Sequence, residues 1–236
     1  MKKKLILSLL CAGIIAVNVN YASAFSFSKP INPDVKSFYD SIKSGINEVD
    51  AISKEMIDTL KFQTYIEKNW DNLVVEKDMD LYNSNEKYLG KPGDILICVI
   101  DKDNSDINAI MMGSLTTHSA FVDSDPQKVL ELFQDGVKNA ENDWRTRYKK
   151  VVVVRPKVDE KVIADAISYG HTKIGTPFSY FSNLFNKTKT DKFYCSQYVW
   201  NCYMNSGVDL DGNGGKAVFP YDFMRSDKVS IVYKQG

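Results

Sequence analysis

From Val35 onward, apolar residues return at helical spacing through Phe38, Ile42, Ile46, Val49, Ile52, Met56 and Leu60. Asn32 and Pro33 stand ahead of them as a cap and a first helical residue. The spacing predicts a long amphipathic helix whose stripe packs against the rest of the chain or receives a partner segment. From Asn69 to Pro92 the pattern gives way to charged and turn-forming residues, which suits a connection. Ile95 to Ile100 is an unbroken apolar run that includes Cys98, with the length of a strand buried on both faces. Two short runs, His118 to Val122 and Val129 to Phe133, enclose Asp123-Ser124-Asp125-Pro126 and predict a hairpin. Val151 to Val154 and Val229 to Tyr233 predict two more strands. Between them lie two helices, one from Asp159 to near Gly175 and one from about Tyr194 to Ser206, stopped by Gly207. These elements add up to an α+β domain: an antiparallel sheet of about five strands with packed helices, preceded by a helical extension.

The opening of the chain has a different character. Lys2, Lys3 and Lys4 precede an apolar run from Leu5 to about Val19, and Ala22-Ser23-Ala24 offers the small residues of a cleavage site. This predicts a signal peptide over 1–24, a helical extension and connection over 25–90, and one domain over 91–236. The apolar run falls short of the roughly 20 residues a membrane-spanning helix needs. The expectation is therefore a secreted or cell-wall-associated protein with no transmembrane segment after leader removal. Thirty basic residues balance thirty acidic ones, and three of the basic ones lie in the leader, so the electrostatic footprint of a nucleic-acid binder is missing. Cys11 lies in the leader, which leaves Cys98, Cys195 and Cys202, an odd number that cannot all pair within one chain.

The helix that begins near Tyr194 separates two of these thiols chemically. Cys195 sits in its first turn, where backbone N–H groups and the helix dipole favour a thiolate; Cys202 sits two turns deeper as a small buried hydrophobe. Seven helical residues span about 10.5 Å, beyond the roughly 7 Å limit for a disulfide. A nucleophilic thiol needs a base, and the chain offers two histidines, His118 and His171. His171 falls in the last turn of the Asp159 helix, where a cation is favoured without any further role. His118 opens a strand. With the hairpin turn centred between Ser124 and Asp125, Glu131 stands directly opposite His118, where a carboxylate orients an imidazole. A register slip of one residue would send Glu131 to the other face.

Several segments, in order, carry a resemblance: Thr117-His118-Ser119-Ala120, Leu130-Glu131-Leu132-Phe133, Asn142-Asp143-Trp144, Gly175-Thr176-Pro177-Phe178, and Phe193-Tyr194-Cys195-Ser196-Gln197-Tyr198-Val199-Trp200. They resemble the YiiX/YycO-like relatives of the NlpC-type cell-wall hydrolases over roughly Lys91 to the C-terminus. The resemblance implies a circularly permuted papain-like fold, with histidine before cysteine in the chain. It also implies a triad of His118, a polar residue on the next strand, here Glu131, and Cys195. At Phe178 the NlpC-type relatives typically carry a tyrosine, whose hydroxyl this chain lacks. The helical segment from about Asn32 to Lys68 lies outside the match.

Asp209, Asp211, Asn213 and Gly214 match the opening of a calcium loop, but Pro220 occupies the place of its closing glutamate, so a tight turn is the better reading. One cysteine, one histidine and one glutamate lack the usual zinc spacing, and neither metal nor cofactor is implied. The expectation is an exported cysteine hydrolase cleaving an amide bond in peptidoglycan peptides through an acyl-enzyme. Its rivals are a lipid or ester acyl hydrolase or acyltransferase, and a non-catalytic exported binding module. The partners expected are a peptide, peptidoglycan or lipid-amide substrate, and no nucleic acid.

Overall fold

Apolar residues occupy both faces of the strands, so the sheet they form has to be covered on both sides. The computed structural model describes residues 51–99 apart from 52, 53, 56 and 60, then 118–179 and 186–236. The leader and most of the first predicted helix lie outside these residues. Six strands form one antiparallel sheet: β1 (Ile95–Cys98), β2 (Ser119–Val122), β3 (Lys128–Phe133), β4 (Gly136–Glu141), β5 (Val151–Pro156) and β6 (Val229–Gln235). Their order is β4-β3-β2-β1-β5-β6. The helices are α1, described continuously over 61–68, α2 (Met79–Asn83), α3 (Trp144–Arg147), α4 (Glu160–Thr172), α5 (Cys195–Met204) and α6 (Pro220–Phe223). No helix among the described residues is long and apolar enough to cross a membrane.

Side chains alternate across the sheet as the pleat requires. Ile95, Ile97, Phe121, Leu130, Leu132, Val152 and Val154 face one core, closed by Ala166 and Ile167 of α4 and by Tyr198, Val199, Cys202 and Tyr203 of α5. Leu96, Ala120, Val122, Val129, Val151 and Val153 face a second core, closed by Leu81, Leu89 and Trp144. The stretch read as a connection thus contributes buried Trp70, Leu81 and Leu89. Its few apolar residues are too widely spaced to show a period, yet each fills a gap over the sheet. From Glu55 onward the chain forms one compact unit.

The fold is α+β as expected, with six strands in place of five. The additional strand is β4, Gly-Val-Lys-Asn-Ala-Glu, an edge strand with only one neighbour. Its polar residues suit an edge, and they hide the alternation that marks a strand. The β2–β3 hairpin also differs in register. Val122 pairs with Val129 and Ala120 with Glu131, so the turn centres between Asp125 and Pro126. Asp123 Oδ1 accepts from Ser124 N–H at 2.7 Å and Asp125 Oδ1 from Gln127 N–H at 3.0 Å, bonds that stabilise this longer turn.

At the sheet end that starts β1, Arg155 donates to Asp94 through two nitrogens, each at 2.7 Å, and to Asp78 at 2.8 Å. Asp94 is buried, and the guanidinium supplies the partner its charge needs. The opposite sheet end carries Cys98, His118 and Val151.

Candidate active site

Cys195 is the first residue of α5, partly exposed, and its sequence neighbours fix it. Tyr194 Oη accepts from Val218 N–H at 3.0 Å, and Ser196 Oγ donates to Val218 C=O at 2.7 Å. One residue is thereby held from both flanks of the thiol. Gln197 Nε2 donates to the carbonyls of Lys187 (3.1 Å) and Lys189 (2.8 Å), while its Oε1 accepts from Tyr194 N–H at 3.4 Å, closing the helix start. Tyr194, Ser196 and Gln197 therefore serve placement, and Cys195 is left to present its sulfur.

His118 leads into β2, and its carbonyl accepts Cys98 N–H at 2.9 Å. Its Nε2 meets Glu131 Oε1 at 2.7 Å. The ring also hydrogen-bonds the Cys195 thiol, which leaves Nδ1 for the sulfur. Glu131 is not directly opposite His118 as the sequence expected; it is opposite Ala120, two residues along β2. A shift of two residues keeps both side chains on one face, whereas a shift of one would have separated them. The contact is diagonal. The place facing His118 goes to Phe133, whose ring stacks on the imidazole at 4.9 Å. Trp144 stacks on it at 5.6 Å and 17°.

These surroundings set the charge state. Burial works against an imidazolium, but the bonds to Cys195 and Glu131 outweigh it and push His118 up to about 9. Burial pushes the Cys195 thiol up, yet the bond and charge of His118, with backbone N–H groups of Ser119 and Ser196, hold it below its ordinary value. Both shifts favour a thiolate–imidazolium pair. Burial pushes the Cys98 thiol up to about 11, and that of Cys202 well above its ordinary value. Among the three thiols only Cys195 is prepared to act as a nucleophile.

The structure therefore brings Cys195, His118 and Glu131 together and leaves His171 elsewhere, where its Nε2 meets Asp123 Oδ1 at 2.9 Å. Sequence reasoning missed Arg147. Its Nη1 donates to both Glu131 oxygens, at 2.9 and 3.1 Å, and its Nε donates to Asp143 at 2.6 Å. The four-residue step from Asp143 to Arg147 was visible as a helical ion pair. The reach to Glu131 depends on the hairpin register and was not.

The remaining motif segments brace this site. Asn142 Nδ2 donates to the carbonyls of Leu89 (2.9 Å) and Pro126 (2.8 Å), tying the hairpin turn to the second core. Gly175 N–H donates to Val137 C=O at 2.8 Å, and Phe178 forms a bridge with Phe193, two residues before Cys195. In the Asp209 turn the Lys187 ammonium pairs with Asp211, and Asp209 Oδ1 accepts from Trp200 Nε1 at 2.8 Å and Asp211 N–H at 3.0 Å. A lysine, an indole N–H and backbone groups thus occupy the carboxylates of the calcium-like turn. Among the described residues no group of three or more His, Cys, Asp or Glu is placed to hold a metal ion.

A thiol at a helix N-terminus, served by a histidine from an earlier strand of an antiparallel sheet, defines a papain-like thiol enzyme in permuted order. Residues 91–232 match the family of permuted papain-like amidase enzymes of the YaeF/YiiX type, C92, and the chain belongs to that family. It is also similar to the uncharacterized protein YycO of Bacillus subtilis (strain 168), at 27% identity over 100 residues, 42% of this chain and 41% of that protein. The chain thus matches about two-fifths of that relative's length. A crystal structure described as the metalloprotein YiiX of Escherichia coli O157:H7 aligns with a TM-score of 0.47 and 19% identity, over 61% of this chain and 97% of that one.

Proposed function

We propose that this protein is an exported cysteine amidase that opens an amide bond in peptidoglycan peptides through Cys195, His118 and Glu131. The observation that carries the reading is Cys195 at the start of α5, hydrogen-bonded to an imidazole that Glu131 holds from its far side at 2.7 Å. The thiolate attacks the amide carbon and the carbonyl electrons move to oxygen. The Cys195 backbone N–H, in the first turn of α5, supplies one donor to that oxygen. The imidazolium passes its proton to the leaving nitrogen, the C–N bond breaks, and a thioester remains. Water then attacks the thioester, giving its proton back to His118, and the carboxylic acid leaves as the thiolate re-forms. The basic and apolar leader before Ala24 supports export, and the amidase family supports the amide bond.

The test incubates the protein with purified peptidoglycan stem peptides and, in parallel, with N-acyl amides of lipid type, and follows newly released amines by mass spectrometry. Amine release from the wall peptides by wild type, with none from Cys195→Ala, is the expected result. Release from the lipid amides alone would overturn the peptidoglycan assignment while keeping the amidase. No release from either, with a Cys195 that alkylates as an ordinary thiol, would overturn the enzyme reading.

A further inference from the structure

Glu131 is fully buried, so its orientation and its charge depend entirely on what surrounds it. The oxygen that meets His118 Nε2, Oε1, also accepts from Arg147 Nη1, and the same nitrogen reaches Oε2. Arg147 is itself held firmly. Its Nε donates to Asp143, Nη2 donates to Glu141 C=O at 3.3 Å, and its guanidinium lies 5.5 to 5.9 Å from the ring centres of Tyr148, Phe133 and Trp144. Phe133 and Trp144 also sandwich His118. One aromatic box therefore holds two cationic side chains on a single carboxylate.

We propose that Arg147 is a positioning residue of this site, which locks the plane of the Glu131 carboxylate and offsets its charge. The inference rests on the cysteine amidase reading and deepens it. A bare carboxylate orients imidazole well but over-stabilises imidazolium, and an imidazolium that holds its proton too tightly is a poor acid toward the leaving nitrogen. With Arg147 bound, Glu131 orients His118 while part of its negative charge is offset. The groups facing His118 are Cys195 of α5, Cys98 of β1, Glu131 of β3, and Arg147 of α3 with Tyr148 after it. Asp143 is engaged by Arg147, and Lys138 of β4 lies over the Phe133 ring with its ammonium on Asp135. Cys195, Glu131 and Arg147 supply the charges nearest His118, and Arg147, shared with Asp143, offsets part of the charge that Glu131 presents.

The experiment follows the imidazole Cε1–H of His118 by NMR through a pH titration, in the full chain and in variants, with His118→Ala to assign the signal. In Arg147→Met the midpoint is expected to rise by about one pH unit, the usual effect of removing one close charge. In Glu131→Gln it is expected to fall by a similar amount. Arg147→Lys, which keeps the charge without the planar fork, leaves the midpoint at the wild-type value while Cys195 alkylation slows. If Arg147 were only a structural peg, Glu131 would swing away when it is lost, and the midpoint would fall as in Glu131→Gln. An unchanged or lowered midpoint in Arg147→Met therefore overturns the proposal. Arg147→Gln gives the same sign test should the methionine variant not fold. A wild-type His118 that titrates near about 6.5, with Cys195 alkylated as an ordinary thiol, sinks the functional reading itself, an outcome distinct from a normal wild type with an unmoved Arg147→Met.

Discussion

His118 and His171 each present Nε2 to a buried carboxylate, Glu131 at 2.7 Å and Asp123 at 2.9 Å, and only one of the two pairs has a thiol on its other side. The His118 side chain is 18% exposed, walled by Phe133 and Trp144, and faces Cys195. That of His171 is 39% exposed in the last turn of α4, where the helix dipole favours a cation. Its partner Asp123 is shared with Asn139 Nδ2 at 2.7 Å and Ser124 N–H at 2.7 Å, so the pair fastens the hairpin turn to α4. A histidine–carboxylate contact is thus a common structural tie. The neighbouring thiol and the aromatic walls set one copy of it apart.

The sharpest test of that difference is to remove the nucleophile. Cys195→Ala is expected to abolish amide cleavage. His118→Ala follows, with a loss on the order of 10²–10⁴-fold, the usual share of a general acid–base group, measured as the rate of amine release. Glu131→Gln keeps an orienting side chain but takes the charge out of the bond to His118 and of those to Arg147; the loss at His118, about 1.5–3 kcal/mol, is roughly ten- to a hundred-fold in the same rate.

The pH dependence marks the His118 pair. Alkylation of Cys195 by iodoacetate rises as pH passes the lowered thiol value and falls above about 9, where the imidazolium that attracts the anion is lost. The raised His118 value has a stability counterpart. Its contribution is complete below the unfolded value of about 6.5 and is lost as pH rises through the folded value of about 9. Cys195, whose value is lowered, contributes in the opposite sense over the same window, so the melting temperature of wild type is expected to stay nearly level there, the thiolate gained offsetting the imidazolium lost. At the far sheet end, Arg155→Met strips buried Asp94 of its ion pair. Since Arg155 is itself partly exposed, the cost is expected near 2–3 kcal/mol by urea unfolding, below the ~3–5 of a fully buried pair, with Cys195 alkylation unchanged. The smallest effect belongs to His171→Gln: under about 1 kcal/mol of stability and no change in alkylation.

The make-up of the candidate site was legible because it depends on local facts: a cysteine in the first turn of a helix, a histidine opening a strand, and an acidic residue in the next strand. The α+β class was legible for the same reason, since Ile95–Cys98 and Val151–Val154 show uninterrupted apolar runs. Register was harder to read. Nothing local distinguishes a turn centred after Ser124 from one centred after Asp125, and the choice rests on side-chain bonds of Asp123 and Asp125 together with Asn142, which reaches Pro126 from the far side of β4. Arg147 inherits that uncertainty, because its target is defined only once β3 is placed. The β4 strand was missed because its polar residues suit an edge, and Trp70, Leu81 and Leu89 because isolated core contacts leave no period.

The grip of Tyr194 and Ser196 on Val218 bears on when the enzyme becomes active during its own synthesis. His118, Glu131 and Cys195 all precede Val218 in the chain, so they emerge ahead of it from the ribosome or from an export channel, and domains tend to fold as they emerge. Until that later residue arrives, the start of α5 has neither of the two bonds that seat it, and Cys195 lacks its fixed approach to His118. A nascent or truncated chain ending before Val218 is expected to carry a thiol of ordinary reactivity, so the site is set only once Val218, which opens about the last eighth of the domain, is in place.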